Sequence, residues 1–384
     1  EILMKRTMKK MVSMALTGTM AVAVLAGAGT SEVKAADKAK IGVLVADVSG
    51  EEAQGFRSYY ENYIAGNYDV EFNYTDALQS AEDEKTAIEK FASQGCQAII
   101  SFSSNDRVQQ IETCEKYGVY YAVASGVLDD AQYETYKTYE YFAGQVGPGN
   151  DTEFEAGKDM GAYYKEQGVS KVAIYGAFIP NPMHVYRVAG VLNGLGCTYG
   201  GESDMNAIAG QIFQDQTVDL SKVEGDVEVV SYLQGYGDTT TDELNAAIQK
   251  TPDAFISVGM ATTFFAQSLS EAGISFSDID SFTETNGNSM KNGTLTYLAG
   301  KYSSSIGPVF ALVMNAINGN VIRDEDGNAP SISQGYLVAT DSDTFDKYSV
   351  SDSGDAPIYD KETLDSIIGD NVTFEDVKTL VESK

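Results

Sequence analysis

Short polar side chains follow several apolar runs of this sequence, at the points where strands are predicted to end. These positions are Asp47, Ser49, Ser103, Ser104, Asn105, Ser125 and Asn286, and two further run ends carry Phe178 and Met260. Ligands of open parallel sheets bind beyond the carboxyl ends of the strands, so hydroxyl and amide groups there predict hydrogen bonds with a hydroxylated solute. Each polar residue has a second interpretation, because Ser, Asn and Asp also cap the helix that follows.

Aromatic side chains near these positions are candidates to stack on a ligand ring. Phe56 and Phe178 are the candidates for stacking, with Tyr59 and Tyr60 as rim contacts. The alternative for the two tyrosines is a place in the core, since they share helical spacing with Phe56. The chain contains no Trp, so any stacking platform must be Phe or Tyr.

His184 is the only histidine, and Arg187 follows it by about one helical turn. A single histidine cannot supply a multi-histidine metal site, and a Ser-His-Asp triad needs an elbow such as G-x-S-x-G, which the sequence lacks. Two roles stay open for each residue. His184 faces the ligand or lies at an exposed helix terminus, and Arg187 contacts the ligand or forms an ion pair on the surface or between the lobes.

Other motifs for bound metals and cofactors are also missing. Cys96, Cys114 and Cys197 are scattered, so we expect buried free thiols, with a Cys96–Cys114 pair as the alternative. The glycines at 144, 147 and 149 do not have the spacing of a dinucleotide-binding loop. The sequence therefore predicts no catalytic residues, no metal and no cofactor.

The overall charge argues against one class of partner. The 384 residues include 26 Lys and Arg against 56 Asp and Glu, which gives a net charge of −30. Nucleic acid and anionic lipid are bound by clustered basic residues, so a surface this acidic argues against both. Disorder is also excluded, because 43% of the residues are hydrophobic and 10% are aromatic, enough to bury a core.

The first 35 residues predict export. Basic residues at positions 5, 6, 9 and 10 precede an apolar run over 11–28, and Val33-Lys34-Ala35 resembles a signal-peptidase site. An uncleaved membrane anchor is the alternative. Ala28 occupies the place of the lipidated cysteine in a lipoprotein-like box. We therefore expect a mature chain that begins near Ala36, carries no lipid and lies outside the cytoplasm.

Apolar runs alternate with amphipathic stretches from residue 40 onward. The predicted strands are Ile41–Ala46, Val70–Tyr74, Ala98–Ser103, Val119–Ala124, Lys171–Phe178, Val227–Tyr232, Ala254–Val258, Ile279–Thr285 and Tyr336–Thr340. The predicted helices are Gly50–Ile64, Ala81–Gln94, Asp106–Tyr117, Glu153–Gln167, Met183–Leu195, Asp242–Gln249, Thr262–Ala272, Ser305–Asn318 and Phe374–Glu382. This alternation, interrupted by a Gly- and Pro-bearing linker at 144–150, predicts an α/β fold of two doubly wound parallel-sheet lobes joined by a hinge.

Four segments of the chain match a known pattern. They are Lys40-Ile41-Gly42-Val43-Leu44-Val45, the run from Ala98 to Asp106, Arg187-x-x-Gly190-x-x-x-Gly194, and the run from Asn292 to Lys301 with the following Ile306-Gly307. In this order they resemble the type I periplasmic solute-binding proteins of bacterial ABC importers. The resemblance implies an N-terminal lobe at 36–146 plus 302–322, a C-terminal lobe with the tail at 147–301 plus 332–384, and hinge crossings near 144–150, 285–287 and 300–303. It also implies a monomer, not an enzyme, that closes on a small polar solute and delivers it to an ABC permease.

The sequence departs from the sugar-binding pattern at three positions. Ser104 stands where an Asp is frequent, Lys301 where a Gln is frequent, and Asn286 where an acidic residue is usual. We expect a sugar-like ligand that differs from the commonest pentoses and hexoses. At the cleft mouth, Lys301 would donate to a ligand oxygen or pair with an acid such as Asp47. A sensory protein for a membrane kinase or chemoreceptor, and an exported hydrolase, are the alternative functions.

Overall fold

The computed structural model describes residues 38–352 and 356–384, so the predicted signal peptide and position 28 lie outside it. Strands alternate with helices from the first described residues to the end of the chain. In these two ranges, no helix is both long and apolar enough to cross a membrane. The alternation predicted from the sequence is therefore present.

The strands, numbered in chain order, are β1 Ala39–Leu44, β2 Val70–Tyr74, β3 Ala98–Ser101, β4 Tyr120–Ala124, β5 Phe142–Gly147, β6 Lys171–Tyr175, β7 Thr198–Tyr199, β8 Val223–Glu224, β9 Glu228–Leu233, β10 Ala254–Ser257, β11 Ser275–Ser281, β12 Leu295–Lys301, β13 Ser331–Ser333 and β14 Leu337–Ala339. Most predicted strands agree within a few residues. β5 covers the first part of the predicted linker at 144–150. The sequence does not indicate this strand, because β5 contains glycines and a glutamine rather than mainly β-branched residues.

The longer helices are Glu51–Ser58, Ala81–Ser93, Arg107–Tyr117, Asp130–Tyr136, Asn150–Glu166, Pro182–Gly194, Met205–Asp215, Asp238–Gln249, Ala266–Ala272, Glu284–Lys291, Gly307–Ile317, Ser342–Asp352 and Phe374–Glu382. Shorter helical segments are Tyr59–Ile64, Ala65–Asn67, Leu220–Lys222, Ala261–Phe264, Ser303–Ile306 and Lys361–Asp365. Side-chain caps define several helix starts, since Ser80, Asp106 and Asp129 each accept a hydrogen bond from a backbone N–H of the first turn.

The first sheet is parallel throughout, with strand order β13-β5-β4-β3-β1-β2. Its central strands are apolar on both faces because helices cover both sides. Neighbouring residues of β1 show this, since Val43 belongs to the core that contains Phe310, whereas Leu44 belongs to a second core with Ile88. The predicted doubly wound arrangement of this lobe is confirmed.

The second sheet has strand order β14-β12-β11-β10-β6-β9. Its strands are parallel except β14, which pairs antiparallel with β12. Val172, Ile174 and Phe255 are buried between helices on its two faces. The prediction of a second parallel-sheet lobe is thus also confirmed.

Three short segments of the described chain connect the two sheets. Pro148-Gly149 follows β5, Tyr302 follows β12, and residues 334–336 lie between β13 and β14. The predicted crossings near 144–150 and 300–303 contain the first two of these segments. The third prediction, at 285–287, is wrong, because these residues lie inside helix Glu284–Lys291 of the second lobe.

The predicted assignment of 332–384 to the second lobe holds for β14 and for helix Ser342–Asp352, which packs on Phe282, but not for the rest of this segment. β13 extends the first sheet beside β5, and Tyr59 of the first lobe donates a hydrogen bond to the backbone oxygen of Tyr359 at 2.6 Å. Asn315 likewise donates to the backbone oxygen of Ile367. Apolar periodicity identifies helices in the tail but does not indicate which surface they cover, so the sequence could not reveal this packing.

Helices Asn150–Glu166 and Pro182–Gly194 cross at glycines. A Cβ atom added to Gly190 would lie 2.0 Å from the backbone oxygen of Phe154, and one added to Gly157 would lie 2.0 Å from that of Arg187. No side chain fits at these distances, so the two helix backbones touch directly. This contact places Arg187 against helix Asn150–Glu166, close to its ion-pair partner Glu153.

We expect Gly190→Ala to destabilise the protein by about 1–3 kcal/mol, because the added methyl forces the two helices apart. Urea unfolding followed by circular dichroism measures this loss. Gly210→Ala is the matched control, since a Cβ atom at this helical glycine would meet no atom within 4 Å. The control should be neutral or stabilising by up to about 1 kcal/mol through helix propensity, and equal effects of the two substitutions would contradict the interpretation.

Candidate functional site

A cleft of about 970 Å³ opens at the carboxyl edges of the sheets, near the upper end of the range of small-molecule sites. Residues from both lobes line it. Among the predicted site residues, those that line it are Asp47, Phe56, Ser104, Asn105, Ser125 and Lys301. The predicted position of a ligand site, beyond the strand ends, therefore coincides with an actual cavity.

Glu84 holds the loop after β3. Its fully buried carboxylate accepts hydrogen bonds from the hydroxyl of Ser103, from the side-chain and backbone N–H groups of Asn105 and from the backbone N–H of Asp106. Burial by itself raises the pKa of Glu84, but these bonds and one from Gln110 outweigh burial and hold the pKa below its ordinary value. Ser103 thus supports the loop from beneath and does not line the cleft, whereas Ser104 and Asn105 do.

Asp47 orders the turn that precedes helix Glu51–Ser58. Its carboxylate accepts hydrogen bonds from the backbone N–H and hydroxyl of Ser49 and from the backbone N–H of Gly50. The bond from the Ser49 backbone is the main reason why the pKa of Asp47 is lowered. Ser49 itself does not line the cleft. These bonds end before the first helical residue, and no side chain caps the helix, so the capping interpretation does not describe Asp47.

Phe56 forms part of a stacked aromatic pair in the cleft wall. Its ring lies 5.3 Å from that of Phe102, at an angle of 24°, and both line the cavity. Phe102 is a residue that sequence reasoning missed, because it was assigned to the predicted strand Ala98–Ser103, whereas β3 ends at Ser101. Tyr59 and Tyr60 are buried, and their hydroxyls donate to the backbone oxygens of Tyr359 and Ile306, so they belong to the core rather than to the rim.

Arg187 forms a buried ion pair with Glu153, in which Nε lies 2.6 Å from Oε2. The same guanidinium donates to the backbone oxygen of Val258 and to the hydroxyl of Tyr336, which in turn donates to Glu153. Burial lowers the pKa of Arg187, but the carboxylate of Glu153 outweighs it and raises the pKa above its usual value. Arg187 does form an ion pair, but the pair is buried within the second lobe and lies neither on the surface nor between the lobes. Tyr336 connects the third crossing to this pair.

Asn286 is fully buried at the end of the second sheet. Its side-chain amide donates to the backbone oxygen of Ser281 and to Asp280. The neighbouring Asp278 is also buried, and burial together with the charge of Asp280 raises the pKa of Asp278 to about 8. The structure therefore places Asn286 within a polar network under the cleft and not on its surface.

Lys301 pairs with an acid across the two lobes. Its ammonium lies 3.1 Å from a carboxylate oxygen of Glu52, which also accepts a hydrogen bond from Ser281. The sequence predicted either a ligand contact or a pair with an acid such as Asp47. The observed partner is Glu52, so the ammonium charge of Lys301 is already balanced.

The comparisons with known proteins concern the fold. No protein-family model matches the chain, and no curated protein sequence matches it. Among solved structures, an arabinose-binding protein from Shewanella sp. ANA-3, bound to L-arabinofuranose, superimposes with a TM-score of 0.58 at 16% identity, covering 83% of this chain and 96% of that one. A D-allose-bound protein from Actinobacillus succinogenes 130z gives 0.60 at 16% identity, over 81% and 100% of the two chains. A myo-inositol-bound protein from Bacillus halodurans C-125 gives 0.56 at 16% identity, over 83% and 99%.

The chain has the type I periplasmic binding protein fold. In this fold the two lobes meet with the carboxyl edges of their sheets at the cleft. The resemblance seen in the sequence is thereby confirmed at the level of architecture. The departures at Ser104 and Lys301 are consistent with it, because both residues line the cleft.

An aromatic cluster lies on the second-lobe edge of this type I fold. Phe178, Tyr236 and Phe264 follow β6, β9 and β10, and the rings of Tyr236 and Phe264 are stacked 5.6 Å apart at 3°. The ring of Phe178 meets that of Tyr236 edge-on. Met260, which precedes the short helix Ala261–Phe264, is exposed. Tyr236 is 67% exposed. The cluster lies outside the walls of the cavity but on the same sheet edge that contributes Lys301.

Sequence reasoning missed Tyr236 because it lies between Gly235 and Gly237, outside any periodic segment. Both glycines have positive φ angles, 75° and 126°, which hold the ring on an exposed turn. No group of metal-ligating side chains occurs in the described residues. All three cysteines are buried free thiols, in agreement with the first of the two alternatives.

His184 is buried at the start of helix Pro182–Gly194, behind Phe178. Its Nδ1 accepts a hydrogen bond from the backbone N–H of Phe178. Burial, followed by the positive charge of Arg187, lowers the pKa of His184 to about 4, and Lys301 adds to the effect. His184 is therefore neutral at pH 7, and it neither lines the cleft nor lies at an exposed helix terminus, the two roles left open by the sequence.

This burial predicts a loss of stability in acid. The unfolded chain protonates its histidine near pH 6.5 but the folded chain only near pH 4, so the unfolded state binds more protons in this window and the free energy of unfolding falls as pH falls. The contribution reaches about 3 kcal/mol by pH 4. We expect His184→Asn, which keeps an acceptor near Nδ1, to lose less stability than wild type between pH 6.5 and 4 in urea titrations. Parallel curves for the two proteins would contradict the assignment.

Proposed function

We propose that this chain is an extracytoplasmic solute-binding protein that captures a small polar ligand, a carbohydrate, between its lobes and delivers it to an ABC transporter permease. One observation carries the proposal: the cleft combines hydrogen-bonding groups on the loops of Ser104, Asn105 and Ser125 with aromatic rings from both lobes. These rings are Phe56 and Phe102 of the first lobe and Tyr186 and Phe213 of the second. A sugar ring needs both, because its edges carry hydroxyls and its faces are apolar. The ligands bound by the three solved proteins of the same fold, a pentose, a hexose and a cyclic polyol, support this class.

Binding without chemistry is the role that the ionisable groups favour. Asp47 orders a turn, His184 is a neutral acceptor for a backbone N–H, and Glu153 is paired with Arg187. Each group is held in a structural contact rather than arranged as a nucleophile beside a base. An exported hydrolase therefore has no support from these contacts.

The proposed protein works as a monomer that closes around its ligand. The cleft is large for one sugar, so closure would bring the exposed rings of Tyr236 and Phe264 toward the wall formed by Phe56 and Phe102. The three short crossings allow a hinge motion of this type. The closed form would then be the one that the permease recognises.

We expect at least one neutral sugar or polyol to stabilise the protein. L-Arabinose, D-allose, D-galactose and myo-inositol form the test panel, with amino acids and nucleosides as controls. A ligand that binds only the folded state adds about 2.7 kcal/mol of stability at a concentration of about 100 Kd, so the melting temperature rises with ligand concentration. Differential scanning fluorimetry measures this rise. Stabilisation by amino acids or nucleosides alone would refute the carbohydrate class.

We further expect Tyr236→Ala to weaken binding of the sugar that stabilises the protein. Loss of an aromatic contact costs about 1–2 kcal/mol, which is about five- to thirtyfold in Kd. Calorimetric titration measures the change. Tyr117→Ala is the matched control, because Tyr117 is an exposed tyrosine of the first lobe that does not line the cleft. Equal affinities of the Tyr236→Ala and Tyr117→Ala proteins would remove the aromatic cluster from the ligand site.

A further inference from the structure

Arg107 and Lys301 are the positively charged residues among the described lining of the cleft. Lys301 is neutralised by Glu52. Arg107 forms no ion pair in the described parts of the chain, and its hydrogen bonding is limited to Nη1, which donates to the backbone oxygen of Val127 at 2.5 Å. Its Nε is shielded from solvent and has no partner. A guanidinium has five N–H donors in a fixed fork, so most of the hydrogen-bonding capacity of Arg107 is unused.

Glu84, the carboxylate that raises the pKa of Arg107, does not pair with it. Glu84 acts on Arg107 only at a distance, while its own oxygens accept hydrogen bonds from Ser103, Asn105 and Asp106. Burial lowers the pKa of Arg107, as it does that of Arg323. The guanidinium of Arg107 is half-buried at the cleft wall and has no ion-pair partner among the described residues.

The helix position of Arg107 is also unfavourable. It is the first residue of helix Arg107–Tyr117, directly after the capping Asp106. The N-terminal end of a helix carries partial positive charge, so a cation there is destabilising. Arg107 thus has neither an ion-pair partner nor a favourable helix position, and the fold does not compensate for this. Such departures from local rules are typical of functional positions.

The surroundings aim Arg107 at the cleft. Its guanidinium lies over Gly126, where a Cβ atom would be 3.1 Å from Nη2. The preceding Ser125 has a left-handed backbone with φ 55°, and it lines the cleft beside Arg107. A larger residue at 126 would crowd the guanidinium, so the glycine leaves room for it at the cavity wall.

The charge of the remaining lining indicates the kind of ligand. Several carboxylates from helix starts and strand ends face the same cavity, namely Asp47, Asp106, Asp129, Asp130 and Asp151. They make an anionic ligand electrostatically costly. A pair of neighbouring hydroxyls on an uncharged ring matches the fork geometry of a guanidinium without adding negative charge.

We propose that Arg107 is the anchoring residue of the ligand site, and that its guanidinium donates to two neighbouring hydroxyl oxygens of a neutral polyhydroxylated ring. This inference rests on the proposed function and names the residue and the ligand chemistry of the same cleft. The bond to Val127 orients the guanidinium. Ligand oxygens supply the acceptors that the protein itself does not.

The test compares Arg107→Met with Arg107→Lys and with Arg323→Met. Arg323 is a matched control, because it is a half-buried arginine of the first lobe that donates to the backbone oxygens of Tyr139 and Glu140 and does not line the cleft. Melting temperatures are measured without ligand. Dissociation constants are then measured by calorimetry for the panel sugars, with D-galacturonate beside D-galactose.

We expect Arg107→Met to melt at or above the wild-type temperature without ligand and to bind the stabilising sugar about tenfold or more weakly. Arg107→Lys should have intermediate affinity, because it keeps the charge and loses the fork. Arg323→Met should melt lower and bind normally. D-Galacturonate should bind no better than D-galactose.

An unchanged dissociation constant for Arg107→Met would overturn the proposal. A melting temperature lowered as far as in Arg323→Met, or a failure of Arg107→Met to fold, would also overturn it, because Arg107 would then be a structural residue. Tighter binding of D-galacturonate would overturn the neutral ligand class. If no panel sugar binds the wild type, the proposed function fails, while the melting temperatures without ligand still test whether Arg107 is an uncompensated cation.

Discussion

The second lobe depends on one buried ion pair, Glu153 with Arg187, and on the glycine contact that makes it possible. The guanidinium reaches the carboxylate because the two helices touch backbone to backbone at Gly157 and Gly190. Each partner alone would be a buried charge, which is strongly unfavourable, so the pair forces a single relative position of the helices. Tyr336 joins the pair by hydrogen bonds and thereby attaches a crossing between the lobes to it. The geometry of the cleft therefore follows from a contact between two buried side chains.

The first lobe likewise contains buried groups that support the cleft and other groups that face it. Glu84 lies beneath the loop of residues 103–106 and uses its carboxylate to order the backbone. Ser104 and Asn105 are consequently presented to the cleft from a rigid support, as preorganised binding requires. Glu52 satisfies Lys301 across the lobes, whereas Arg107 receives no such partner. The cleft thus contains one cation that the protein neutralises and one that it leaves available.

Part of this site was predictable because parallel strands deliver their carboxyl ends to one edge. Asp47, Ser104, Asn105 and Ser125 were identified on that basis, and they line the cleft. The sequence signal for Arg107 was weaker, since an arginine after a capping Asp is an ordinary surface pattern. Only the structure shows that this arginine has no ion-pair partner among the described residues. Tyr236 had no signal at all, because its exposure depends on a turn between two glycines rather than on periodicity.

The amino-acid sequence alone determined the alternation of strands and helices, the parallel sheets and the edge at which polar residues collect. These properties depend on local periodicity and on apolar strands that need cover on both faces, both of which are written in short segments. Tertiary structure decided which polar groups are already occupied, such as Ser103, Arg187 and Asn286, and which remain free. It also decided that the last part of the C-terminal tail, which contains Tyr359 and Ile367, covers the first lobe. These outcomes depend on hydrogen bonds between residues that are far apart in the sequence. No local sequence pattern indicates that such residues come close together.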